Sequence, residues 1–231
     1  MKLHFTVPQQ PDDESCGITC LQAVYDFYGF ETSTEALKNQ VVHWHKTGGT
    51  VGVNLGRHAL AHGFTAEIYT YNIKVFDPTW RDLPRDELAA KLRLRQKRLR
   101  SSRQKKEIGF YLDFLKQGGV VRFDDLDETL VRRLFASRRP VICGLSATYL
   151  YGGVRELPDN QENDVVGHPV GHFVVVSEYD PATREVKIHD PLRRYPLAAT
   201  GTYSLPFQRF SNAVMLGILT YDANLLVIGK P

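Results

Sequence analysis

Residues 15–29, Ser15-Cys16-Gly17-Ile18-Thr19-Cys20-Leu21-Gln22-Ala23-Val24-Tyr25-Asp26-Phe27-Tyr28-Gly29, read as one helix with a cysteine at its mouth. Ile18, Leu21, Val24, Tyr25 and Tyr28 recur at helical spacings, which puts them on one apolar stripe. Ser15 has the chemistry of an N-cap and Gly29 that of a stop. Cys16 follows the predicted cap directly. The N–H groups of a first helical turn lack intrahelical partners, and the helix dipole adds partial positive charge there. Both favour thiolate, the nucleophilic form of cysteine. Gly17 has no side chain, so a substrate backbone is expected to approach the sulfur closely.

A cysteine nucleophile needs a base, which can lie far away in sequence. Working outward, Gly171-His172-Phe173-Val174-Val175-Val176 reads as a strand opened by a histidine. The predicted strands His172–Glu178 and Glu185–His189 are joined by Tyr179-Asp180-Pro181-Ala182-Thr183-Arg184, a turn sequence. Paired as a hairpin, they set the start of one beside the end of the other. That places Asp190 next to His172, where a carboxylate would orient the imidazole. An oxyanion needs two donors aimed at one point. The Cys16 N–H is one candidate. Gln10, six residues upstream, is the other, with Gln9 beside it.

The segment Gln10-x5-Cys16-Gly17-x2-Cys20-Leu21-x6-Tyr28-Gly29 resembles the start of the peptidase domain of bacteriocin-exporting ABC transporters. Gly171-His172-Phe173-Val174-Val175-Val176 and Asp190-Pro191 are similar to that family's His and Asp motifs, in the same order. Those domains are double-glycine leader peptidases with a papain-like fold. The resemblance implies Cys16 as nucleophile, His172 as general base and acid, Asp190 as its orienting group and Gln10 as oxyanion donor. It also implies a peptide or protein substrate and no cofactor. Residues 8–30 and 170–192, about a fifth of the chain, carry it. The sequence departs from the pattern in having no transporter domain and a longer chain. The resemblance is therefore to a stand-alone relative. The ending Thr220-Tyr221-Asp222-Ala223-Asn224-Leu225-Leu226 is similar to that of relatives encoded near ATP-grasp ligases, which makes such a ligase an expected functional partner.

The remaining segments predict an α+β fold, helices first and an antiparallel sheet second. Residues 3–7 read as a short strand ended by Pro8. Helices are expected after Ser33, over Asn54–His62 and over Asp127–Ser137. Strands are expected over Glu67–Val75, Val141–Ser146, Met215–Thr220 and Leu225–Ile228, and a long loop over Tyr149–Val166. Residues 79–118 differ: a run of helix formers from Leu83 to about Arg103 and a helix near Glu107–Lys116. They read as a helical insertion in a single domain spanning 1–231.

The insertion also concentrates charge. The 231-residue chain carries a net charge of +3, and nine Lys or Arg without one acid fall between Lys91 and Lys106. Without them the remainder is near −6, from 3 minus 9. The segment is expected to form an exposed helical arm. It reads first as a solvated helix face; the alternatives are an acidic chain docked on it, or packing on Asp124, Asp125, Asp127 and Glu128 downstream. Nucleic acid is the less favoured partner, because no aromatics are interleaved for stacking.

Composition narrows the remaining classes. Apolar residues at 42% and charged residues at 24% exclude a mostly disordered chain. No apolar window has the length of a membrane span or a signal peptide, so the expected location is the cytoplasm. Three cysteines argue against a disulfide framework. Cys20 and Cys143 read as core residues, and Cys16 with Cys20 lacks the second cysteine pair of a zinc site. His168 is a rival base in a predicted loop. His189 should point to the other side of its strand from Asp190. His43 and His45, either side of Trp44, read as structural or surface residues. The function expected is hydrolysis of a peptide or isopeptide bond through an acyl-enzyme on Cys16. The alternatives are an acyl transferase of the same mechanism and a non-catalytic peptide-binding module.

Overall fold

The run from Phe173 to Val176 is apolar at every position because both its faces are buried. Phe173 and Val175 join one hydrophobic cluster, and Val174 and Val176 join another. Strand side chains alternate between faces, so one strand feeds two cores. The computed structural model describes residues 5–43, 49–136, 139–192, 197–198, 200–220 and 222–230.

Seven strands form one sheet: β1 (Thr65–Thr70), β2 (Val120–Arg122), β3 (Val141–Ser146), β4 (Gly171–Asp180), β5 (Glu185–His189), β6 (Thr202–Pro206) and β7 (Asn224–Gly229). Their order is β2-β1-β7-β3-β4-β5-β6. All neighbours are antiparallel except β1 and β2, which run parallel. One cluster lies under α1 (Cys16–Phe27), α2 (Thr34–Gln40), α3 (Gly52–Ala61), α4 (Arg85–Arg98) and α5 (Ser102–Lys116). The other lies under α6 (Glu128–Ala136), α7 (Ala147–Tyr151) and α8 (Phe207–Leu216). The fold is thus α+β, with helices on both sheet faces.

Several sequence expectations change. Met215–Thr220 is not a strand: it is the end of α8 followed by a 3-10 helix, Gly217–Thr220. An unbroken apolar run does not distinguish strand from buried helix by period. The expected strand to Val75 stops at Thr70, where Asn72 opens a turn by accepting the Lys74 N–H. The expected loop from Tyr149 begins inside α7, which ends at left-handed Gly152. The sheet is not confined to the C-terminal half, since β1 extends it. Of the strand expected over 3–7, residues 3 and 4 lie outside the described residues, and 5–7 form no strand. Trp44, His45, Ser137 and Tyr221 also lie outside them.

The basic segment is docked rather than free. Leu88, Ala89 and Leu92 of α4 bury against the first cluster together with Ile108, Tyr111 and Leu115 of α5. Lys91, Arg93, Lys97, Arg98 and Arg100 face outward. The downstream carboxylates are engaged elsewhere: Asp124 by Arg133, Asp125 by Arg81, Glu128 by Arg132 and Arg184. Asp127 caps α6 through the Leu130 N–H.

Candidate active site

Cys16 is the first residue of α1 and is partly exposed, whereas Cys20 and Cys143 are buried. Ser15 occupies the cap position but does not cap: its hydroxyl donates to Asp12 Oδ1 at 2.6 Å. The first turn of α1 also holds no acidic residue. No capping side chain or carboxylate of its own therefore competes for the positive end of the helix. Gly17 is buried, and a Cβ there would stand 2.9 Å from the Phe173 ring. Its smallness lets α1 lie directly on the start of β4. That is a packing reason, and it replaces the expectation that Gly17 makes room for substrate.

His172, the second residue of β4, is 7% exposed. Its Nε2 donates to Asp190 Oδ1 at 2.9 Å. Opposed strand residues share a face, so His172 lies on the side of Leu145, its partner on β3. Cys16 is near enough to the ring for its thiol to favour the imidazolium. Burial opposes the charged imidazolium, but the bonds and charges of Asp190 and Cys16 outweigh it and lift the pKa to about 10. With Nε2 committed to Asp190, Nδ1 is the nitrogen left for sulfur.

Asp190 follows β5 and is 1% exposed. The hairpin pairs Val175 with His189, so Asp190 falls opposite Val174, two residues from His172, and the side chains close the offset. Its carboxylate accepts four bonds. Oδ1 takes His172 and the Leu192 N–H at 3.0 Å; Oδ2 takes the Tyr151 and Tyr203 hydroxyls, each at 2.7 Å. Burial alone would push this carboxyl up. The bond and charge of His172, with the Tyr151 and Leu192 bonds, hold it down at about 2. The anionic form is thus fixed despite complete enclosure.

Gln10 is 2% exposed. Its N–H donates to the Pro191 carbonyl at 2.7 Å, which ties the approach to Cys16 to the segment carrying Asp190. Its side-chain Nε2 donates to the Asp12 carbonyl at 2.9 Å. An amide nitrogen carries two hydrogens, so this bond fixes the plane of both.

The other candidates fall elsewhere. Cys20 Sγ donates to the Phe173 carbonyl at 3.4 Å, and burial pushes both it and Cys143 well above the ordinary thiol range. His168 is exposed and bridges Glu156 through its backbone. His189 turns from Asp190 to bond Ser177 Oγ at 2.8 Å, and burial drops its pKa to about 4. His43 bonds the Lys38 carbonyl. Tyr151 and Tyr203 are the site residues that sequence reasoning missed. Tyr203 was legible as the apolar step of the alternating Thr202-Tyr203-Ser204-Leu205-Pro206, but nothing local marks its hydroxyl.

Among the described residues, no helix is long and apolar enough to cross a membrane. No family model and no curated protein matches the sequence. In structure, the chain is similar to xylellain, a cysteine protease from Xylella fastidiosa. That match has 16% identity, covers 99% of this chain and 84% of that one, and has a TM-score of 0.48. It is also similar to a C39-like peptidase from Bacillus anthracis, at 14% identity, 99% and 96% coverage and a TM-score of 0.48. A third similar structure is a double glycine motif protease from an AMS/PCAT transporter, in complex with the leader peptide. Its identity is 12%, its coverage 100% and 94%, and its TM-score 0.46.

Proposed function

We propose that this chain is a cysteine peptidase of papain-like arrangement, acting as one domain over 1–231. One observation carries the reading: a buried imidazole donates to a buried carboxylate at 2.9 Å, with Cys16, the one partly exposed cysteine of the three, among the groups that favour the imidazolium. On this reading each part of acyl transfer has a residue. Cys16 attacks the carbonyl carbon of a peptide or isopeptide bond. The Cys16 N–H and the Gln10 side chain hold the oxyanion, and helix α1 adds its positive end. His172, protonated beside Asp190, gives its proton to the leaving amine. The acyl group stays on sulfur as a thioester. His172 then takes a proton from water, and the resulting hydroxide cleaves the thioester and frees the thiolate. A peptide or protein is the substrate, and an acidic chain docks on the exposed cations between Lys91 and Lys106.

The test is digestion of a diverse peptide mixture, read by mass spectrometry, with wild type and Cys16→Ala. The reading expects new termini only with wild type. Peptides retained intact by both proteins would instead identify a binding module. Amine-capped products at the expense of free carboxyl termini would identify a transferase.

A further inference from the structure

Asp190 Oδ2 faces away from His172 and toward two tyrosines from distant parts of the chain. Tyr151 ends α7 and Tyr203 lies in β6. Both hydroxyls reach the same oxygen at 2.7 Å. Tyr203 is 9% exposed, and the ring of Tyr151 lies 6.1 Å from that of His172. The groups facing the carboxylate are therefore His172 from β4, Tyr151 from α7, Tyr203 from β6 and the Leu192 N–H, with Cys16 beyond the imidazole. His189, its chain neighbour, is turned to Ser177. Among the described residues, no lysine or arginine is one of these partners. A buried carboxylate is costly to keep ionised unless it is paired and hydrogen-bonded. Two neutral donors meet that need without adding a cation that would compete with the imidazolium.

We propose that Tyr151 and Tyr203 are positioning residues that hold Asp190 as an anion, aimed through Oδ1 at His172, and so set how far toward acid pH Cys16 stays reactive. The inference rests on the Cys16–His172 reading above. Its sign follows from the chain of bonds. Each hydroxyl stabilises the carboxylate over the carboxylic acid. Without them Asp190 takes up a proton earlier on acidification, the imidazolium loses its partner, and the thiolate loses the imidazolium. Both tyrosine rings pack in the second cluster or against it. Phenylalanine retains that packing and removes only the donor.

The experiment measures the iodoacetamide alkylation rate of Cys16 against pH, which needs no known substrate. Wild type is compared with Tyr151→Phe, Tyr203→Phe, the double variant, Asp190→Asn and His172→Ala, with thermal melts as folding controls. The proposal expects the acid limb of the profile to move up by about one pH unit per hydroxyl, as for a charge-assisted hydrogen bond. The double variant should shift about twice as far as either single variant, and Asp190→Asn, which has no anionic form, should shift further still. The single variants test the same shift should the double variant not fold. An unmoved limb in folded variants, with His172→Ala still suppressing alkylation, would overturn the tyrosine role alone. Alkylation indifferent to His172→Ala would overturn the nucleophile–base reading on which it rests.

Discussion

Cys16 and His172 derive their chemistry from what surrounds them more than from what they are. A thiol at a helix mouth with an engaged cap residue, beside an imidazole held protonated, is set up for attack at neutral pH. Cys16→Ala should abolish turnover and change stability by less than about 1 kcal/mol, since it removes one partly exposed sulfur. Circular dichroism and thermal melting check the second half. Gln10→Ala should lower kcat by about 10²–10³-fold, the usual cost of one oxyanion donor. The pH dependence has a definite sign. His172 rises from 6.5 to about 10 on folding. Its ion pair therefore stabilises fully below 6.5, and that contribution disappears as pH rises through about 10, together with the proton the leaving amine requires. Asp190 falls from 3.8 to about 2, so its contribution is present above 3.8 and is lost as pH drops through 2. A rate profile should fall at its alkaline end near pH 10. At this scale the meeting of His172 and Asp190 was legible from the turn that joins their strands, and Cys16 and Gln10 were picked out as candidates by local pattern. The tyrosines were not, since only the fold brings residues 151 and 203 to one oxygen.

Element boundaries show the same division between local and non-local causes. Helix α1 and the β4–β5 hairpin were readable because stripe, stop and turn are all encoded within a few residues. Helix α8 was not, because its N-cap is Pro206, which offers no capping side chain. Helix α3 was readable from Asn54 onward, but its first amide, Gly52 N–H, is capped by Asp222 at 2.9 Å, from 170 residues away. Asn224 steadies that carboxylate at 2.9 Å. Residues of the C-terminal ending thus perform a packing task that no local reading reveals. Asp222 shares its interior with Glu107, which accepts from Asn72 at 2.9 Å. Burial raises Glu107 from 4.5 to about 7, helped by the charge of Asp222, which burial raises from 3.8 to about 6. The folded state then binds protons more tightly than the unfolded chain between these values. The contribution of these two carboxyls to stability therefore falls as pH rises from about 4 to 7. For Glu107 alone the loss is on the order of 3 kcal/mol. Measured against pH, the melting temperature of Glu107→Gln should rise relative to wild type across that window, since the variant lacks this loss. A slope unchanged in that variant would contradict the assignment.

Across the whole molecule, two layers of helices enclose one sheet, and the candidate site lies where α1 meets the start of β4. The basic hairpin of α4 and α5 is anchored by Leu88 and Leu92 and turns its cations outward. Neutralising Lys97, Arg98 and Arg100 should raise KM for an acidic substrate, leave kcat and Cys16 alkylation unchanged, and weaken the salt dependence of turnover. Steady-state kinetics at low and physiological ionic strength check this. The charge of that arm was legible from sequence. Its docking was not, because the apolar stripe is thin and its partners lie on α5 and the first core. The central claim is that Cys16 is a nucleophile activated by His172 and Asp190. The most direct measurement is the rate of iodoacetamide labelling of each cysteine at neutral pH, mapped by peptide mass, in wild type and His172→Ala. The account predicts that Cys16 labels far faster than Cys20 and Cys143, and that His172→Ala removes this advantage. Equal labelling of all three cysteines, or a Cys16 rate untouched by the loss of His172, would contradict it.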